Sequence, residues 1–425
     1  MVADEAARRA EDSARRAVVA VWRIESARIV ATLTRHTGDF ALAEDLAQEA
    51  LADALAQWPE RGVPRNGAAW LTAVAKRKAI DHWRRRERLD DRVAAIAHDL
   101  EREQDEAADA LPWDPDEIDD DVLRLVFIAC HPLLAPQARV ALTLRVVAGL
   151  ETAEIARAFL VPVATVQQRI VRAKQALADA HVPFEAPPRG ERAQRLAAVL
   201  GVLYVIFTEG HAATAGDDWM RPDLAREAIR LVRTLAALQP DEPEVHGLLA
   251  LLELTAARFP ARVDAQGEPV LLADQDRRRW DRGAIRRGRA ALARAEGFGR
   301  GLGPYALQAA IAECHAVAAD VASTDWARIV ALYGGLEQVA PSPVVTLNKA
   351  VAVSMAGGPG AALAIVDRLA GEKALAIGHL LPSVRGELLS RLGRDDEARA
   401  AFAQAAERTQ NERERAILLA RAATR

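Results

Sequence analysis

The chain has 425 residues, with 60 Asp+Glu against 56 Lys+Arg, a formal net charge of -4 and 51% hydrophobic content. That length exceeds what one core holds, and the composition excludes both a disordered chain and a uniformly basic nucleic-acid binder. With aromatics at 4% and only two cysteines, Cys130 and Cys314, the core must be built mainly from Ala, Leu and Val, without a disulfide framework.

The N-terminus, "MVADEAARRAEDSARRA", alternates charges and lacks an apolar centre, so it is not expected to be a secretory signal. The longest apolar run, "LAAVLGVLYVIF" (196–207), is expected to be too short to span a bilayer. A cytoplasmic location without membrane contact follows as the expectation. Almost every segment repeats its apolar residues with the helical period, and none alternates like a strand, so the predicted fold is all-α.

Residues 8–89 read as several helices. In "LAEDLAQEALADALAQW" (42–58), Leu42, Leu46, Leu51, Leu55 and Trp58 make one face. Asp45, Gln48, Glu49 and Asp53 lie on another, at spacings of three and four. Such a row is either a solvated face or a docking strip for a basic partner helix. The loop "PERGVPRNG" (59–67) is rich in turn formers and can shape a pocket. In "AAWLTAVAKRKAIDHWRRRER" (68–88), Trp70, Leu71, Val74, Ile80 and Trp83 are predicted to pack inward. Lys76, Arg77, Lys78, Arg84, Arg85, Arg86 and Arg88 face Asp81 and Glu87, a net of five positive charges on one short helix. Cations interleaved with aromatics suit single-stranded nucleic acid, which needs phosphate attraction and base stacking; the alternative is a charged surface helix.

Residues 90–121 reverse the sign, with fourteen Asp/Glu against Arg92 and Arg102, and read as an acidic linker. A compact helical unit runs from Val122 to about Ala180. It contains "ETAEIARAFLVPVATVQQRIVRAKQAL" (151–177), two short helices broken by a turn. Ile155, Ala156, Phe159 and Leu160 form the apolar face of the first, Pro162 starts the second, and Val166, Ile170 and Val171 are predicted to face inward. Thr165, Gln167, Gln168, Arg169, Arg172 and Lys174 remain outside, the residue types that reach base edges and phosphates in a helix-turn-helix.

"HVPFEAPPRGER" (181–192) is a Pro-rich boundary, after which helical patterning continues to the end. It is interrupted at "HAATAGDDWMRPD" (211–223) and at "RFPARVDAQGEPVLLADQDRRRWDRG" (258–283). Near the C-terminus "AVAVSMAGGPGAALAIV" (350–366) aligns with "GELLSRLGRDDEARAAF" (386–402). Each has a helix, a Gly at 357 or 393, a turn, and a small residue, Ala362 or Ala398, opening a second helix. The spacing is about that of tetratricopeptide repeats; the bland alternative is an ordinary pair of helical hairpins.

The order of these features is more specific than any one of them. "AEDLAQEAL", "AWLTAVAKRKAIDHWRR" and "TAEIARAFLVPVATVQQRIVRAKQAL" resemble regions two and four of bacterial extracytoplasmic-function sigma factors. "ACHPLLAPQARVALTLR" (129–145), "VLYVIFTEGHAA" (202–213), "DQDRRRWDR" (274–282), "GPYALQAAIAECHA" (303–316), "DWARIVALY" (325–333) and "SPVVTLNKAVAV" (342–353) are similar to the subgroup with a C-terminal tetratricopeptide-like extension. The resemblance implies region two over 1–89, an acidic linker over 90–121, region four over 122–181, a helical extension over 182–290 and repeats over 291–425. It implies that Asp45, Gln48, Glu49 and Asp53 meet the clamp helices of RNA polymerase's largest subunit. Arg65, Asn66 and Gly67 would hold a flipped base of the minus-ten element, and Lys76, Arg77, Lys78, Arg84 and Arg85 would grip the opening strand. Thr165, Gln167, Gln168, Arg169, Arg172 and Lys174 would read the minus-thirty-five duplex. The partners implied are core polymerase and promoter DNA. The extension would regulate activity by docking on the sigma domains or by taking a peptide or protein partner.

Two departures stand out. Glu151 occupies a place where relatives carry Ser or Thr, leaving Thr152 as a substitute cap after a boundary shift. Relatives also carry an acidic Asp-Gly-Gly-Pro turn where this chain has "AGGP" (356–359). Neither catalysis, a cofactor nor a metal is expected. The Glu-x-His pairs in "TEGH" (208–211) and "ECH" (313–315) point to different sides of a helix, and no nucleophile or phosphate-loop motif is present. The rival reading is a one-component helix-turn-helix regulator with a repeat sensor acting without polymerase, which leaves residues 1–121 unexplained.

Overall fold

The computed structural model describes residues 2–86, 115–159, 161–185, 187–211, 220–264, 269–376, 378–409 and 411–423. Among them the fold is all-α, and the only β pairing is an isolated bridge, Val263 with Pro269. The chain divides into two compact units, Met1–Leu203 and Tyr204–Arg425.

The first unit opens with α1 (Val2–Thr37), α2 (Phe40–Arg61) and α3 (Gly67–Arg86). Asp39 caps α2 by accepting the N–H groups of Ala41 and Leu42 at 2.9 and 3.1 Å, which satisfies donors the helix start leaves orphaned. The buried face of α2 is largely a seam of Ala43, Ala47, Ala50 and Ala54, all fully buried, with Leu46, Leu51 and Trp58 beside it. Leu42 and Leu55 are only half-buried, so alanines rather than the predicted leucines let α1 approach closely. Helix α2 also runs three residues further than expected, through Pro59 to Arg61, and the loop before α3 begins at Gly62 (φ 87°).

Next come α4 (Pro115–Ala129), α5 (Pro136–Val146), α6 (Thr152–Ala158) and α7 (Val163–Asp179). The predicted acidic linker lies outside the described residues as far as 114; from Pro115 onward the chain is helical. The buried stripe of α7 is Val166, Ile170, Ala173 and Leu177, spaced for one face. Val171, predicted to face inward, is 64% exposed. It follows Ile170 by one residue, which on a helix is a turn of about 100°, and carries it off the stripe. Leu160 lies outside the described residues.

Helix α8 (Arg189–His211) contains the boundary between the units. The apolar run at 196–207 sits inside this longer helix, whose segment Gly190–His211 is long and apolar enough to cross a membrane by length and composition. Half of its apolar window is buried within the protein.

The second unit continues with α9 (Pro222–Leu238), α10 (Pro243–Ala256), α11 (Arg282–Gly297), α12 (Pro304–Val317), α13 (Trp326–Val339), α14 (Pro343–Gly357), α15 (Pro359–Arg368), α16 (Leu380–Arg391), α17 (Asp395–Arg408) and α18 (Glu412–Ala423). Two devices fix its first half. The Glu244 carboxylate, carried by α10, accepts the N–H groups of Tyr305 and Ala306 at 2.8 and 3.2 Å and so caps α12 from outside. Glu253 is almost fully buried between Arg233 of α9 and Arg287 of α11, joining three helices by charge.

In the second half, α14/α15 and α16/α17 form consecutive hairpins over a shared core that includes Leu347, Ala362, Val366, Leu388, Ala398 and Phe402. Ala362 and Ala398 are both buried, as the alignment of the two segments requires. The glycines differ in register: Gly393 has φ 69°, whereas the left-handed residue of the first hairpin is Gly358 (φ 95°), not Gly357. Pro359 follows it and starts α15, so the turn is one residue later than the alignment puts it.

At Gly386 a Cβ would stand 2.9 Å from two atoms of the Phe402 ring, whereas at Gly360 it would meet nothing within 4 Å. We therefore expect Gly386→Ala to lower stability by roughly 1–2 kcal/mol, overpacking outweighing the gain in helix propensity. Gly360→Ala should be neutral or slightly stabilising. Denaturant unfolding of the full chain followed by circular dichroism checks the contrast, and equal effects at the two positions would contradict it.

Candidate nucleic-acid and polymerase interface

Three of the site residues of α2 and α3 meet: Glu49 and Asp53 of α2 face Lys78 of α3. Lys78 Nζ lies 3.0 Å from Asp53 Oδ2 and 3.3 Å from Glu49 Oε2. Burial alone would lower its pKa, but hydrogen bonds and charge from Asp53 and Glu49 prevail and raise it, so the ammonium is held charged. A cleft beside this triad is lined by Leu46, Glu49, Lys78, Asp81 and His82. The structure thus joins one expected DNA-gripping cation to two expected polymerase-docking carboxylates. Arg77 is exposed and Lys76 half-buried; the side chains of Arg84 and Arg85, with that of Trp83, lie outside the described residues.

The pocket loop has a structural share as well. Asn66 Oδ1 accepts the N–H of Ala69 at 3.0 Å and caps α3, while Arg65 is exposed. Gly67 is packed against α2: a Cβ there would come within 2.6 Å of the Trp58 ring. Trp58 in turn meets Trp70 edge to face, at 5.6 Å and 75°. Gly67 is therefore required for close packing at the start of α3, whatever the loop binds.

The helix-turn-helix is formed by α6 and α7. Its first helix is closed by Glu154, whose Oε2 accepts the Glu151 N–H at 2.9 Å, one half of a capping box; Thr152 is not needed for this. Glu154 Oε1 also accepts from Arg23 of α1 at 2.5 Å. On α7, Gln167, Gln168 and Arg172 are exposed, and Thr165 and Arg169 half-buried. Lys174 departs from this outer group. Its Nζ donates to Asp45 Oδ1 at 2.6 Å and to Glu44 Oε2 at 2.8 Å, both on α2. Burial works against its charge, but Glu44 and Asp45 overcome this and raise its pKa.

Glu44 was not singled out from sequence. Its side chain is 5% exposed, and Arg145 Nε of α5 lies 3.5 Å away on its other oxygen. The available signal was positional: Glu44 stands beside Ala43 and Ala47 on the small-residue seam, where a carboxylate must find a cation. A second buried acid, Asp121 of α4, is paired with Arg35 of α1 at 3.3 Å and with Arg124 at 2.5 Å.

His211 and His315 of the second unit sit in packed, cationic surroundings. His211, Phe207 and Phe259 form a cluster of three near-parallel rings, each in contact with the other two, and Arg262 Nη1 lies 2.6 Å from His211 Nδ1. Glu209 is paired with Arg221, and Glu313 with Arg289 at 2.8 Å. His315 meets Trp326 edge to face. Arg277 clamps the adjoining loop by donating to the His315 and Ala318 carbonyls and to Thr324. Among the described residues there is no group of three or more His, Cys, Asp and Glu arranged to hold a metal.

Family models for sigma-70 region 2 and sigma-70 region 4 match residues 21–89 and 124–177, and one for a family of unknown function, DUF6596, matches 195–296. The probable ECF RNA polymerase sigma factor SigI of Mycobacterium tuberculosis is 29% identical over 179 residues, 41% of this chain and 59% of that protein. These likenesses support a sigma factor of the extracytoplasmic-function type, a class of initiation factors rather than of enzymes. The uncharacterized protein R00370 of Rhizobium meliloti is 47% identical over 374 residues, 88% of this chain and 87% of that protein, and the chain belongs to the same family. No solved structure matches.

The His315 pKa is pushed down to about 4 by burial and by the Arg258 and Arg277 charges, and His211 is lowered by burial and by Arg262 and Arg258. A folded-state pKa below the unfolded value means that the stability is present above the unfolded pKa and lost as pH falls. Between pH 8 and pH 5, His315 alone should cost roughly 2 kcal/mol, with His211 acting in the same direction. Urea unfolding at the two pH values checks this, and the loss should shrink in His315→Gln. An unchanged midpoint would contradict it.

Proposed function

We propose that the chain binds RNA polymerase core and directs initiation at promoters with minus-ten and minus-thirty-five elements, its second unit regulating that activity. The observation that carries this reading is the pairing of sigma-70 regions 2 and 4 in one chain, each with exposed groups suited to its expected target. Gln167, Gln168 and Arg172, exposed on α7, can meet base edges and phosphates in the major groove, assisted by Thr165, Arg169 and, when released from α2, Lys174. Arg65, Asn66 and Gly67 would receive an unstacked base, with Lys76, Arg77, Lys78, Arg84 and Arg85 along the single strand. Asp45, Gln48, Glu49 and Asp53 would dock on the clamp helices of the largest subunit.

Each reader covers few phosphates and so binds weakly by itself. Polymerase tethers both, which raises the effective concentration of each at its element and makes a net negative charge tolerable. Regulation by residues 182–425 is supported by the two helical hairpins, whose stacked faces suit a peptide, a protein or the sigma domains.

The test is in vitro transcription with core polymerase. Initiation from defined start sites is expected with the full chain. Tight operator binding without polymerase and no initiation with it would favour a one-component regulator. Gln168→Ala should lower initiation roughly 5- to 150-fold at a promoter whose base it reads, the worth of one good base contact, without loss of core binding. Equal activity at all promoters would remove Gln168 from the reading set.

A further inference from the structure

We propose that Arg258, Arg277, Trp280 and His315 form a receptor for a small oxyanion, a phosphate or a carboxylate group, inside the second unit. Such a site does not depend on the sigma-factor reading. Backbone pairing brings its parts together. The Asp281 N–H donates to the Ala257 carbonyl at 2.8 Å, which pins the approach to α11 against the end of α10. Trp280 and Arg258 thereby become neighbours, with the Arg258 guanidinium 5.7 Å from the centre of the indole. The Arg277 guanidinium lies 5.2 Å from the same ring. Its donors reach the His315 and Ala318 carbonyls and Thr324, which sets His315 of α12 beside the pair. Arg277 is 6% exposed and Trp280 3%.

Among the described residues neither guanidinium is in an ion pair with a carboxylate, because the nearby acids are committed elsewhere. Asp281 caps α11 by accepting from Gly283 and Ala284, and Asp276 pairs with Arg278 at 3.0 Å. Asp320 accepts from Ser323 and acts on Arg277 through charge alone. Arg258 Nε has a neutral acceptor, Gln275 Oε1, at 3.3 Å; its terminal nitrogens are the fork that meets an oxyanion bidentately. Burial and the Arg277 charge together bring the Arg258 pKa down to about 10. Two buried polar atoms of the same cluster, Trp280 Nε1 and His315 Nδ1, have no hydrogen-bond partner, a rare condition in a folded interior. Stacking on the indole offsets part of the cost of burying the cations, but it does nothing about their mutual repulsion. Water would satisfy the two nitrogens and leave that repulsion in place, whereas an oxyanion answers both. An indole N–H can only donate, so the occupant must present acceptors. His315, with its pKa near 4, is neutral at neutral pH; as the tautomer protonated on Nδ1 it donates without adding a third charge. A bound oxyanion would tie together the end of α10, the approach to α11 and the last turn of α12.

The experiment is titration calorimetry of the full chain with inorganic phosphate and with malonate, each against chloride at the same ionic strength. At least one of the two should saturate a single site per chain, and the comparison shows whether the site takes phosphate or carboxylate; chloride, with no oxygens to share among the donors, should not. Trp280→Phe keeps the ring but removes the N–H and should weaken that binding roughly 10- to 100-fold, the worth of one hydrogen bond to a charged group. Arg258→Gln should weaken it at least as much, and circular dichroism checks that each variant folds. Arg279→Gln, which removes an exposed cation from the same stretch, should leave it unchanged. If Arg258→Gln fails to fold, the milder Trp280→Phe still decides. Absence of saturable binding by either anion would overturn the receptor, as would binding that persists unchanged in the folded variants. Equal loss in Arg279→Gln would also overturn it, since a diffuse cationic surface would then account for the signal. If the anion binds but no transcription starts with core polymerase, the sigma-factor reading falls and the receptor stands.

Discussion

A carboxylate that is 5% exposed on an alanine seam is the constraint around which the first unit is arranged. A buried carboxylate needs cationic partners, and those of Glu44 come from α5 and α7, on the far side of the acidic stretch in sequence. The second unit repeats the device with Glu253, held by Arg233 and Arg287 from flanking helices. The reason lies in composition. Helices that meet through alanine bury little area per residue, and such smooth seams slide past one another at small cost. A buried ion pair adds little net stability, but breaking it is expensive, so it fixes which helix faces which.

Much of this architecture was legible in the sequence. Helical period without strand alternation gave the class, and the order of acidic helix, loop, basic–aromatic helix and helix-turn-helix gave the two modules. The misses have separate causes. Val171 was assigned inward because it is apolar, but its angle on α7 outranks its type, and the smaller Ala173 takes the buried place. Pro59 reads as a helix stop, yet the last turn of α2 accommodates it and the stop is the left-handed Gly62. The Gly357–Gly358 pair offers two candidates for one left-handed position, and only the geometry of the turn chooses between them. Glu44 was passed over because helical periodicity ranks residues by polarity and has no means to predict a buried charge whose partners lie a hundred residues away.

The same long-range pairing changes what charge in the sequence means. Counting cations in a motif treats each as free to meet a phosphate. Here Lys78 is neutralised by Glu49 and Asp53, and Lys174 by Glu44 and Asp45. Apart from Glu44, the acids and bases in these pairs belong to surfaces with other expected partners. The acidic strip and the basic faces therefore serve as counterions for one another before either meets its target. Binding a nucleic acid or a second protein must then include the cost of separating an internal pair, partly returned when the freed carboxylate finds a new cation. Affinity for either target taken alone is lowered by that cost, while the two together share it. A chain with almost balanced charge can in this way carry basic groups whose charge is already answered within it.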